Sequence, residues 1–314
     1  MSKLLAALVT AALLAGANSF AGFAHAGVLA DLPYRIGPDR RVVTDVTIDG
    51  KGPFHFMLDT AASRTMLYEH TRETLNLSQS GNSLLTVYGI NNVGTAMPVK
   101  PQELRLADEA IRGLVMGVLP NDMEASDGVL GLDALGKYVV VLDHDTMRLK
   151  LLTPGDAAPQ DYHAWSWSAL DARPLRDGSI NFWTMRTSIK GTTITTLLDM
   201  GAGMTMINWA AAEKLGYKRT SFPADGLPQK LRDALGTVEP VGVVRDVTIW
   251  VGGRLFPNQT IIVANAAVFK YFDLDNKPAA IAGPGLLGDR SLAIDFAAQR
   301  IYVAPDAKEV HAPS

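Results

Sequence analysis

Apolar and polar residues alternate from Arg41 to Ile48, the two-residue period of a half-buried strand. Asp49-Gly50-Lys51-Gly52 reads as a hairpin turn, and Pro53 to Leu58 as the returning strand. The same pattern recurs later in the chain. Trp183 to Ile189 predicts a strand, Lys190-Gly191 a turn, and Thr192 to Leu198 a second returning strand. Each returning strand runs into an aspartate, Asp59 in one half and Asp199 in the other. Beyond Asp59, Leu67 to Leu77 predicts a short helix and Leu84 to Tyr88 a strand, with a glycine- and asparagine-rich hairpin tip from Gly89 to Gly94. Further strands are expected over Val99 to Leu106, Gly113 to Leu119, Tyr138 to Leu142 and Met147 to Leu152. The second half ends in parallel fashion, with strands over Leu292 to Phe296 and Arg300 to Val303.

The two aspartate segments are copies. Moving along by 140 positions takes Leu58 to Leu198, Asp59 to Asp199, Ala62 to Ala202, Thr65 to Thr205 and Met66 to Met206. Residues 27–160 and 161–314 are therefore expected to form two similar lobes. Between them, Thr153 to Leu170 is rich in Pro, Ala, Asp and Gln, and reads as a surface linker or crossover in which Trp165 and Trp167 pack.

Composition narrows the class. A chain of 314 residues with 47% hydrophobic content can bury sizeable cores. The net charge of −3 comes without a long basic run, which argues against a nucleic-acid partner. Lys3, the apolar stretch from Leu4 to Ala15, and Ala24-His25-Ala26 have the layout of a secretory signal over residues 1–26. Export to a bacterial periplasm is the expectation, with an uncleaved membrane anchor as the alternative and no membrane span after cleavage. The chain has no cysteine, so neither disulfides nor a thiol nucleophile are available.

Two aspartates at equivalent places in two similar halves suggest a site on a pseudo-twofold axis. Carboxylates brought together share a proton, because both cannot ionise easily. One can then act as base toward a water while the other acts as acid toward a carbonyl oxygen. Other chemistries find little support. The six histidines are scattered without metal-ligand spacing, there is no G-x-S-x-G elbow, and no metal or cofactor is called for. Gly283-Pro284-Gly285-Leu286-Leu287-Gly288 matches G-x-G-x-x-G literally, but strand-like residues follow it where a dinucleotide fold needs a long helix.

These paired motifs resemble the aspartic peptidases, specifically bacterial retropepsin-like proteins with two pepsin-like lobes in one chain. The family pattern is Asp-Thr/Ser-Gly in each lobe, with two apolar residues and a glycine far downstream. Here the first lobe has Asp59-Thr60-Ala61-Ala62-Ser63 with Val129-Leu130-Gly131, and the second has Asp199-Met200-Gly201-Ala202-Gly203 with Leu286-Leu287-Gly288. The resemblance implies a mainly β fold of two pseudo-twofold-related, acid-protease-like β-barrel lobes with a cleft between them. It implies Asp59 and Asp199 as the catalytic pair, and Thr60, Ala61, Ala62, Met200, Gly201 and Ala202 as loop supports. Gly131 and Gly288 become the glycines packed on those loops, and Tyr88 with Gly89 a flap over a bound peptide. Ala61 stands where the family has glycine, and Met200 where it has Thr or Ser. Ala62 and Ala202 stand where many relatives place a hydroxyl donor, which shifts the expected working range toward mildly acidic or neutral pH.

An exported aspartic endopeptidase acting on a peptide or protein substrate is the leading expectation. A cell-envelope peptide-binding module that keeps the cleft without turnover is the second, and Ala61 and Met200 favour it. In a third reading, the halves are a purely structural repeat whose aspartates cap turns.

Overall fold

The computed structural model describes residues 27–120, 126–155, 160–175, 181–218, 231–232, 237–238, 240–264 and 266–305. The expected signal over 1–26 lies outside them. Strand accounts for 52% of the structure and helix for 12%, so the fold is mainly β, with two barrel-like lobes.

The first lobe opens with β1 (Val28–Ile36), β2 (Val42–Ile48) and β3 (Lys51–Leu58). Alternate residues of β2 are buried, as the period-two pattern requires. Next come β4 (Met66–Tyr68), α1 (Glu69–Leu75), and the hairpin of β5 (Leu85–Tyr88) and β6 (Val93–Val99). Then follow β7 (Glu103–Leu106), β8 (Glu109–Arg112), β9 (Met116–Leu119), β10 (Gly128–Leu130), α2 (Leu132–Leu135), β11 (Val139–Asp143) and β12 (Arg148–Leu152). The expected single strand from Val99 to Leu106 is broken into β6 and β7 around Pro101, a residue that cannot donate to a ladder.

A short 3-10 helix (Gln160–Ala164) leads to the second lobe: β13 (Ser166–Pro174), β14 (Asn181–Ile189), β15 (Thr192–Leu198), β16 (Thr205–Ile207) and α3 (Trp209–Lys214). After the two-residue strands β17 (Leu231–Arg232) and β18 (Thr237–Val238) come the long strands β19 (Pro240–Val251) and β20 (Arg254–Ala264). The lobe closes with α4 (Val268–Tyr271), β21 (Ala279–Ala282), α5 (Pro284–Leu287), β22 (Leu292–Asp295) and β23 (Arg300–Val303).

The pairing register shows the repeat directly. In the first lobe β3 pairs in parallel with β10, β10 antiparallel with β4, and β4 in parallel with β9. In the second, β15 pairs in parallel with β21, β21 antiparallel with β16, and β16 in parallel with β20. The lobes share one antiparallel sheet, ordered β1-β12-β11-β22-β23-β13. Its pseudo-twofold axis passes between β11 and β22, where Val140 faces Ile294. Val140, Leu142, Leu292 and Ile294 are buried there in a core that runs through both lobes. Each such side chain contributes about 1.5–3 kcal/mol by leaving water. The stretch expected to be a surface linker is therefore structural in its second half. Ser166 to Ala169 pair with β23 as the outer strand of this shared sheet, while the Arg300 guanidinium stacks on the half-exposed Trp167. Among the described residues no helix is long and apolar enough to cross a membrane.

Candidate active site

Asp59 and Asp199 sit at the first positions after β3 and β15, in turns that the parallel partner strands hold from behind. The Asp59 N–H donates to Leu130 O at 3.0 Å, and the Asp199 N–H donates to Ala282 O at the same distance. The backbone then curls over each side chain. The Ala61 N–H donates to Asp59 Oδ1 at 2.7 Å, and the Gly201 N–H donates to Asp199 Oδ1 at 2.9 Å. These equivalent loops bring the two carboxyl groups together on either side of Gly201. Gly201 lies against both: a methyl on its Cα would stand 2.7 Å from Asp59 Oδ2 and 3.2 Å from Asp199 Oδ1. That is why this loop has no room for a side chain.

Both carboxyls are partly open to the cleft but surrounded by dense protein. Desolvation is the main influence on Asp59 and raises it. The Ala61 N–H, the Arg41 guanidinium and the Ala62 N–H oppose that rise. Desolvation also raises Asp199, and the neighbouring Asp59 charge carries it well above the usual carboxylate range. Only the Gly201 N–H and Arg41 pull it back. Burial raises both groups, and the charge of one carboxyl opposes ionisation of the other, so the pair holds a proton more tightly than either group would alone.

The loops are tied together from one side. Thr60 Oγ1 donates to Leu198 O at 2.8 Å and accepts the Met200 N–H at 3.0 Å. Met200 is buried in the core and has no hydroxyl to return the contact. Ala61 is accommodated because its backbone does not adopt a positive φ, and its methyl packs against apolar residues of the second lobe. Ala202 packs in that same cluster, while Ala62 lies against a smaller group built on Met57, Met66 and Val129.

Gly131 follows β10, and a methyl there would lie 2.4 Å from the Arg64 carbonyl carbon. It therefore packs backbone to backbone on the first loop, and the next residue, Leu132, donates to Ala62 O at 2.8 Å. The counterpart in the second lobe is not Gly288. Because β10 and β21 occupy matching positions, Leu130 corresponds to Ala282 and Gly131 to Gly283. A methyl on Gly283 would stand 1.7 Å from Asp199 O. Gly288 instead ends α5, donating to Pro284 O at 2.9 Å just as Gly136 donates to Leu132 O after α2. The glycine-rich match to a nucleotide loop is this strand end and a four-residue helix.

Tyr88 and Gly89 lie at the tip of the β5–β6 hairpin, where the Gly89 N–H donates to Asn92 O at 2.8 Å. The tip rests on the second lobe. The rings of Tyr88 and Tyr271 meet edge to face at 5.4 Å. Ile90 O accepts from the Val268 N–H at 3.0 Å, and Asn91 Oδ1 accepts from the Ala267 N–H at 3.1 Å. Sequence reasoning missed these partners, and it missed Arg41, whose Nε donates to Gly201 O at 2.7 Å. No local pattern marks an arginine that acts across 160 positions of chain. Gly283 did leave a signal, since Ile281-Ala282-Gly283 also reads as two apolar residues and a glycine. Among the described residues no group of acidic or histidine side chains is arranged to hold a metal ion.

Two family models match the chain. Residues 44–137 match the family described as "gag-polyprotein putative aspartyl protease", and residues 185–288 match the family described as "Aspartyl protease". Among curated proteins no sequence matches. Each matched span contains one aspartate loop, its downstream glycine and the strands between, and the two spans fall in the two halves of the pseudo-twofold fold. The chain therefore belongs to the aspartic peptidases, as a retropepsin-like member with both lobes in one chain.

Proposed function

We propose that the protein is an exported aspartic endopeptidase in which Asp59 and Asp199 activate water against a peptide bond. The observation that carries this reading is the close approach of two half-buried carboxyls in equivalent loops, with Gly201 lying against both and one backbone N–H held by each. Asp59 takes a proton from the attacking water as its oxygen bonds to the carbonyl carbon. Asp199 gives its proton to the carbonyl oxygen. The tetrahedral adduct collapses as Asp199 takes back the proton of one hydroxyl, the C–N bond breaks and the amine nitrogen is protonated from Asp59. The Ala61 and Gly201 N–H groups each hold one oxygen of their own loop's aspartate, Oδ1 in both cases.

The Tyr88–Gly89 hairpin is the cover for an extended peptide, which the backbone edges of the cleft would hold by strand-like hydrogen bonds. The layout of residues 1–26 supports export to a periplasm. The test is digestion of an unfolded protein or a mixed peptide library between pH 3 and pH 8 by wild type, Asp59→Asn and Asp199→Asn. Cleavage by wild type alone supports the assignment. A folded wild type that cuts nothing favours the peptide-binding reading, with the half-made loop cross-link at Met200 as its structural basis.

A further inference from the structure

Three contacts leave one short turn of the first lobe and end on the second. The turn, Gly37–Arg41, is internally braced. The Arg40 N–H donates to Gly37 O at 2.9 Å, the Gly37 N–H donates to Arg41 O at 2.8 Å, and the Arg41 N–H donates to Asp39 Oδ1 at 3.2 Å. Outward, Arg41 Nε donates to Gly201 O at 2.7 Å. Asp39 O sits so close to Gly203 that a methyl on that glycine would lie 1.9 Å from it. Arg40 Nη2 pairs with Asp289 Oδ1 at 2.8 Å, an exposed contact worth little by itself. The turn thus lies along the Gly201–Gly203 backbone, immediately after Asp199.

We propose that this turn is an inter-lobe strap, and that Arg41 is a positioning residue for the Asp199 loop, holding it where Met200 offers no hydroxyl. The role deepens the Asp59–Asp199 reading above and rests on it. Thr60 grips the second lobe at Leu198 and Met200, and Arg41 grips it one residue further on, at Gly201. The guanidinium suits the task because its planar fork makes two contacts at once. While Nε holds Gly201 O, Nη1 pairs with Asp39 Oδ2 at 2.9 Å. The Arg41 side chain is only 19% exposed, so water competes weakly for either contact. A lysine ammonium can supply the charge but not the fork. Three carboxyls face the guanidinium: Asp39 from its own turn, and Asp59 and Asp199 from the two loops. Its charge favours the ionised forms of Asp59 and Asp199.

The test is carboxyl carbon-13 NMR titration of Asp59 and Asp199 in the full-length protein, together with kcat and KM on a cleaved peptide. Arg41→Met should move both titration midpoints upward by about half a pH unit or more. It should also lower kcat about tenfold with KM nearly unchanged. Arg41→Lys should restore most of the titration and only part of kcat, because charge returns without the fork. Asp39→Asn should move the midpoints the other way, since it removes the anion that offsets the guanidinium, and it serves also if Arg41→Met does not fold. Midpoints that stay in place in a folded Arg41→Met or Asp39→Asn variant overturn the proposal. If wild type cuts no substrate, the endopeptidase reading fails, and the titration still decides the role of Arg41.

Discussion

Thr60 Oγ1 ties the two aspartate loops from one side: it accepts the Met200 N–H at 3.0 Å and donates to Leu198 O at 2.8 Å, and the Met200 side chain has no hydroxyl to return the contact. A symmetric pair of loops would share this work. Here one buried hydroxyl satisfies two backbone groups of the opposite lobe. Thr60→Ala should therefore cost about 2 kcal/mol, because a donor and an acceptor are left unpaired in the interior. Thr60→Ser should recover most of it. Thermal unfolding of the two variants checks this, and equal midpoints for Ala and Ser would show that the bonds carry no weight.

The flap tip is held by the second lobe before any peptide is present. Its fastening includes two hydrogen bonds and one aromatic edge contact, at Ala267, Val268 and Tyr271. Lids draw on low-stability elements of this kind. Tyr271→Ala should raise hydrogen exchange of the Val268 amide about fivefold, as loss of roughly 1 kcal/mol of ring contact frees the hairpin. Exchange at Leu198, inside β15, should not change. If the Val268 amide exchanges at the wild-type rate, the ring pair does not hold the flap.

Burial of the carboxyl pair makes stability depend on pH, and the sign follows from the direction of the shifts. Asp199 is raised well above its unfolded value, mainly by desolvation and then by the Asp59 charge. Between the two values the folded state binds more protons than the unfolded state. Its stability therefore falls as pH rises from about 4 through the folded value. Asp199→Asn removes this penalty. The variant should gain on wild type between pH 4 and pH 7, at a rate of at most about 1.4 kcal/mol per pH unit, less because the carboxyl partly faces the cleft. Denaturant unfolding at both pH values gives the comparison, and a difference that does not grow with pH contradicts the shift.

How much of this was legible in the sequence depended on range. The strand-turn-strand-Asp unit is local, so its two copies were readable from residue types alone, and β15 falls where the alternation placed it. The downstream glycine of the second lobe was misplaced because two segments fit the same short pattern. Register against β15 selects Ile281-Ala282-Gly283, and register is not written in either segment. Trp167 likewise read as linker, because its strand has an open side and pairs with β23, more than a hundred residues later. Arg41 was invisible for the same reason: its partner at Gly201 is fixed by how the lobes meet, not by any residue near it.

The two lobes also differ at a pair of threonines, and the difference predicts opposite outcomes for the same substitution. Thr65 is wholly buried, and Asp133 Oδ1 accepts both its N–H and its hydroxyl at 2.7 Å, while the Gly131 N–H donates to that hydroxyl at 3.2 Å. The register that equates Gly131 with Gly283 puts Gly285 where the first lobe has Asp133. A side chain cannot be added at Gly285, since a methyl would lie 2.3 Å from Gly203 O. Thr205, the counterpart of Thr65, is left with a buried hydroxyl that has no hydrogen-bond partner. An unmet buried hydroxyl costs free energy, and replacing it with a methyl of similar shape removes that cost. Thr205→Val should therefore be neutral or stabilising by up to about 1 kcal/mol. Thr65→Val should be destabilising by about 1–3 kcal/mol, because the Gly131 N–H loses its acceptor and Asp133 Oδ1 loses one of its two donors from Thr65. Denaturant midpoints of the two single variants decide the matter. Equal losses at both positions would mean that Thr205 finds a partner in solution, and that the second lobe is not relaxed where Gly285 replaces an acid.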